Sequence, residues 1–87
     1  MFIEKNKKFY MIANKKTGKF YKTNACIRHG EYAIKLTSTT LEEATKHKTL
    51  EDAKKVINFV EDKTTLKLWR EGTITVAEIQ YEVNYLM

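Results

Sequence analysis

Between Ala77 and Tyr85 the chain alternates without a break. Ala77, Ile79, Tyr81, Val83 and Tyr85 are apolar or aromatic, and Glu78, Gln80, Glu82 and Asn84 between them are polar. A period of two puts each set on its own face of an extended chain, and the β-branched and aromatic members suit a pleated surface. Such a strand is stable only inside a sheet, so this segment constrains the whole fold. A helical reading competes. Thr75-Val76-Ala77-Glu78 has the form of a capping box, and Val76, Ile79, Val83 and Leu86 fall on one helical stripe. The helix leaves Tyr81 and Tyr85 exposed whereas the strand buries them, and the strand is preferred.

Other segments point the same way. Lys8-Phe9-Tyr10-Met11-Ile12-Ala13 is rich in strand formers, and Asn14-Lys15-Lys16-Thr17-Gly18 reads as a turn before Lys19-Phe20-Tyr21-Lys22-Thr23. This predicts strands over 8–14 and 19–23. Residues 24–30 read as a loop ending at Gly30, and Tyr32, Ile34 and Leu36 alternate as a third strand. Thr40 and Thr49 each precede an acid three residues on, as helix caps do. The first start predicts one turn. The second opens a main helix over 50–61, whose stripe is Leu50, Ala53, Val56, Ile57 and Val60. Leu66 to Ile74 reads as a hairpin around Glu71-Gly72. The expected fold is α+β: one domain over 1–87, an antiparallel sheet in the order β-β-β-α-β-β, with one amphipathic helix on one face. Tyr10, Ile12, Tyr21 and Trp69 are expected on the face away from that helix.

A chain of 87 residues with no proline, three glycines and one cysteine is a single small domain without an internal disulfide. No apolar run is long enough to span a membrane. Met1-Phe2-Ile3 leads directly into Glu4-Lys5-Asn6-Lys7-Lys8 rather than into a secretory leader, so the expectation is a cytoplasmic protein without membrane contact.

Charge is unevenly placed. The chain carries 16 Lys and Arg against 11 Asp and Glu, a net +5. Residues 1–30 hold eight of those bases and one acid, which points to a polyanion or an acidic surface as partner of the N-terminal third. Lys15, Lys16, Lys19 and Lys22 interleave with Phe20 and Tyr21, a pattern that can grip phosphates and stack bases, and Arg28 extends the basic set. These seven are the candidate binding residues. Lysine predominates over arginine, which weakens base-specific recognition.

Catalysis needs positioned nucleophiles, bases or paired carboxylates, and the chain is poor in all of them. Cys26-Ile27-Arg28-His29 is half of a zinc set with no second half, and His47 stands alone between Lys46 and Lys48 as a linker residue. The expectation is no enzyme, no metal and no cofactor. Tyr10, Tyr21, Tyr32, Trp69, Tyr81 and Tyr85 form a tyrosine-rich set of the type found at interface cores. They serve a protein partner or a homodimer as well as they serve a core.

Asn14, Thr17, Gly18, Lys19 and Phe20, followed by Ala44, Thr45, His47, Thr49, Glu51, Asp52, Ala53 and Val56, form a pattern over residues 8–60. It resembles small accessory proteins of phages and prophages of low-GC Gram-positive bacteria, in which an aromatic usually stands at the position of His47. The resemblance implies a phage-like origin and a non-catalytic role. It leads to the expectation of a binding protein that modulates or inhibits a host protein or ribonucleoprotein, most sharply an anti-CRISPR-like inhibitor of a defence nuclease complex. The alternative is a small basic DNA- or RNA-binding accessory protein that uses the Lys15–Lys22 hairpin.

Overall fold

The alternation at the C-terminal end does fold as a strand, and it lies along the first one. The computed structural model describes residues 2–85, with side chains for 7–81. In chain order the elements are β1 (Phe2–Asn14), β2 (Phe20–Arg28), β3 (Glu31–Thr39), α1 (Leu50–Lys55) continued by a 3-10 turn (Val56–Phe59), α2 (Lys63–Arg70) and β4 (Ile74–Tyr85). The four strands form one antiparallel sheet in the order β3-β2-β1-β4. The α+β class is as expected.

Two long ribbons make up this sheet. β1 pairs with β4 from Phe2↔Tyr85 to Asn14↔Ile74, with a register shift between Glu4 and Lys7. β2 pairs with β3 from Phe20↔Thr39 to Arg28↔Glu31. The ribbons meet at Ala13↔Phe20 and then separate. The gap is filled by the segment after β3. His47 pairs with Tyr10, each N–H donating to the other's carbonyl at 2.8 Å. The N–H of Thr45 donates to the Tyr21 carbonyl at 3.2 Å, and its hydroxyl accepts from the N–H of Thr23 at 2.9 Å. Residues 45–47 thus act as a short strand wedged between β1 and β2, and the backbone groups freed by the divergence find partners.

β1 is buried on both faces. Ile12, at 1 % exposure, packs with Ile34, Val56, Val60 and Ile74, and Tyr21, Leu36, Leu66, Leu68 and Trp69 pack around them. Met11, at 0 %, points the other way. Ile12, Tyr21 and Trp69 therefore belong to the helix-covered face, and Tyr10, two residues before Ile12 on the regularly paired part of β1, shares that face; none of the four lies on the opposite face as expected. Ile12, Tyr21 and Trp69 pack there against Val56 and Val60 and the α2 residues Leu66 and Leu68, which bury their own apolar sides on the same cluster.

Three further expectations are corrected. Residues 24–30 are not a loop: β2 runs on to Arg28 because β3 supplies a partner for every residue. The turn is then only His29-Gly30, with φ of 52° and 79°. Two successive left-handed residues make the type I′ turn that matches strand twist. The main helix is shorter than 50–61, ending as α-helix at Lys55. Leu66 to Ile74 is not a hairpin. Asp62 caps α2 through the N–H and hydroxyl of Thr65, at 2.9 and 2.6 Å. Gly72, at φ 81°, closes it: its N–H donates to Trp69 and that of Thr73 to Leu68, which is the Schellman pattern. The positive φ that suits a hairpin serves a helix end here. The last strand is single, so the order is β-β-β-α-α-β. The turn at Thr40 forms as expected, with Ala44 N–H donating to the Thr40 carbonyl at 3.0 Å.

Thr49 caps α1 by accepting from the Asp52 N–H at 3.1 Å. Thr49→Ala removes that acceptor, and thermal unfolding should report a loss of about 1 kcal/mol, the usual worth of an N-cap.

Candidate functional site

The turn between β1 and β2 is built on Asn14. Its side chain is 8 % exposed, accepts from the N–H groups of Lys16 and Thr17 at 2.9 and 3.1 Å, and donates to the Tyr21 hydroxyl at 3.1 Å. Such a side chain mimics a backbone turn and fixes the loop. Lys15, Lys16, Lys19 and Lys22 are all exposed around it and form no ion pair with a described residue. The structure brings these four lysines together. It does not bring the aromatics with them: the Tyr21 ring packs against the core and its hydroxyl is engaged by Asn14, while Phe20 is half-buried. A basic knob remains, without a base-stacking platform. Arg28 lies at the other end of β2, about 20 Å from Lys22 along the strand. There it lines a cleft of 420 Å³ with Cys26, Lys35, Glu61 and Asp62. Both signs of charge meet in that cleft. The Asp62 carboxyl is held below its usual range by the hydroxyl and N–H of Thr65, with a smaller contribution from Lys35.

The sheet face away from the helices carries a different surface. Alternation places Phe9 and Met11 of β1 and Ile79 and Tyr81 of β4 on it, in the pairs Phe9↔Ile79 and Met11↔Ala77. Leu41 and Glu42, in the turn after β3, and Lys46, in the wedge, line with them a shallow, open hollow of 620 Å³. Met11 is its buried floor. Tyr81 and Leu41 are 43 % and 40 % exposed. The Phe9 and Tyr81 rings are 5.4 Å apart and tilted by 52°, and the Lys46 ammonium sits 5.6 Å from the Phe9 centroid. An apolar cup with a cation over its aromatic wall is suited to an apolar side chain flanked by carboxylates. Among the described residues Glu42 is the one acid lining it.

Of the tyrosine-rich set, then, Tyr81 and Tyr32 are open to solvent. The expectation that the strand would bury Tyr81 is corrected. It lies on β4 with the Phe9 ring 5.4 Å away and remains 43 % exposed. The Tyr85 side chain lies outside the described ones. Tyr32 stacks edge-on against Phe59 at 4.9 Å, near Ile27, which is 77 % exposed. Sequence patterning missed Phe9, Leu41 and Lys46 as neighbours, because they come together only through the wedge.

Cys26 is half-buried on β2, and His29 occupies the turn. Among the described residues no three His, Cys, Asp or Glu side chains converge. His47 is no passive linker. Its Nε2 is buried without a hydrogen-bond partner among the described residues, and burial pushes its pKa down, against a weaker upward pull from Asp52. The native state therefore favours neutral His47. The associated stability is present above the unfolded value near 6.5 and is lost as pH falls through the lowered native value. Melting temperature should fall as pH drops from 7.5 below 6.5, and His47→Leu should flatten that part of the profile.

Comparison with protein-family models, with curated proteins and with solved structures returns no match.

Proposed function

We propose that this chain is a non-enzymatic binding protein of phage type that docks on a host protein or ribonucleoprotein and blocks it, most sharply an anti-CRISPR-like inhibitor of a defence nuclease complex acting in the host cytoplasm. The observation that carries the reading is the hollow between Phe9, Leu41, Lys46, Ile79 and Tyr81. It combines apolar and aromatic side chains with a cation over the Phe9 ring, and aromatic residues are enriched at interface cores. A net charge of +5 favours an acidic docking surface and argues against mimicry of a nucleic acid. The test is functional. Expression in a bacterium carrying an active RNA-guided nuclease should restore plaquing of a targeted phage, and Leu41→Asp should abolish the restoration. Undiminished restriction across representative RNA-guided nucleases would remove the anti-CRISPR form of the reading.

A second reading is favoured by one observation, the four lysines at the β1–β2 turn. In it the knob holds nucleic-acid phosphates without stacking bases. Affinity would then fall steeply with salt, and reversal of Lys15, Lys16, Lys19 and Lys22 would flatten the salt slope.

A further inference from the structure

β4 is an edge strand, and among the described residues nothing pairs with its outer side. The opposite edge is not equally open, because β3 is met at Ile34 by a parallel bridge from Val60. Natural edges are usually blunted by lysine, proline or a bulge. Ile74 to Tyr81 contains no lysine and no proline, and its pairing with β1 is regular.

The direction of its backbone groups follows from the wedge. The N–H and C=O of Tyr10 both go to His47, away from β4. Its cross-strand mate Glu78 must then turn its own N–H and C=O outward, as must Val76 and Gln80 by alternation. A row of outward donors and acceptors is thus set along the edge.

We propose that β4 pairs antiparallel with β4 of a second copy, about a two-fold axis through Ile79, to form a continuous eight-stranded sheet. Charge selects this register. With Ile79 on the axis, Glu78 lies opposite Gln80 of the second copy, and the outward groups of the two residues form a hydrogen-bonded pair, twice by symmetry. Centring on Glu78 sets that carboxylate against itself, and centring on Gln80 sets Glu78 against Glu82. Centring on Tyr81 also avoids an acid pair but shortens the shared strand from residues 74–84 to 77–85. On the face of the hollow, Ile79 meets Ile79 of the second copy and Tyr81 lies over its Ala77. The two apolar cups then join side by side on one face. The basic turns, adjoining Ile74, end up about 34 Å apart, several screening lengths, so the net charge does not oppose the contact strongly.

Sedimentation of the full chain over a range of concentrations tests this. The expected result is a reversible species of twice the 10.2 kDa chain mass. Gln80→Glu sets two carboxylate pairs across the axis and should weaken the dimer about tenfold, and adding Glu78→Gln should restore it. Gln80→Pro removes an outward N–H without touching the β1 ladder, and should give a monomer with an unchanged circular dichroism spectrum. A wild-type chain that stays monomeric at its highest soluble concentration overturns the proposal. So does a dimer indifferent to Gln80→Glu, or one weakened by it that Glu78→Gln fails to restore.

Discussion

Met11→Ala should destabilise the domain by about 2–5 kcal/mol, the range for emptying a fully buried site of this size. In a domain this small each kcal/mol moves the melting temperature by about 4–8 °C, so the midpoint should fall by at least about 8 °C. The site cannot relax easily. Met11 lies on an interior strand, hydrogen-bonded to β4 on one side and tied through Tyr10 to the wedge on the other. A calorimetric scan decides it. A loss below about 1 kcal/mol would mean that the face of the hollow is not closed beneath Phe9 and Leu41. Ile12→Ala, on the opposite side of the same strand, should cost a similar amount. Two adjacent residues of one strand with equally severe effects are the signature of a strand covered on both faces.

Leu41→Asp should leave folding nearly unchanged and cost at least about 2 kcal/mol in affinity for the macromolecular target, roughly thirtyfold in Kd. Leu41 stands in a turn, 40 % exposed, so little core is lost. The new carboxylate, however, enters an apolar cup and, on the proposed function, meets an acidic docking surface, so that it faces both a desolvation penalty and like charge. Calorimetric titration against the target identified by affinity capture measures the loss, and circular dichroism confirms the fold.

Much of the scaffold was legible because local signals agreed with the tertiary outcome. The alternation from Ala77 to Tyr85 and the cap at Thr49 needed no distant partner to be read. Residues 24–28 were misread because Asn24, Ala25 and Cys26 are weak strand formers, and what extends them is the β3 ladder opposite. α2 was missed because its stripe, Thr65, Leu66, Leu68 and Trp69, is short and its cap is an aspartate without an acid three residues on. The wedge at Thr45–His47 left no periodic trace, since three residues are too few to show one. The site inherits these limits. The lysine turn was readable from composition and from Gly18. The burial of Tyr21 was not, because it depends on which face the helices choose. The hollow was invisible because β1, β4 and the wedge contribute to it from three distant parts of the chain.

The most direct measurement is affinity capture from lysate of a phage host, with and without nuclease treatment, using the wild-type chain, Leu41→Asp and a chain with Lys15, Lys16, Lys19 and Lys22 reversed. A stoichiometric protein that survives nuclease and is lost with Leu41→Asp is the predicted result, and its identity names the target. Partners that vanish with nuclease, persist with Leu41→Asp and are lost with the lysine reversal would contradict it and assign the chain to nucleic acid.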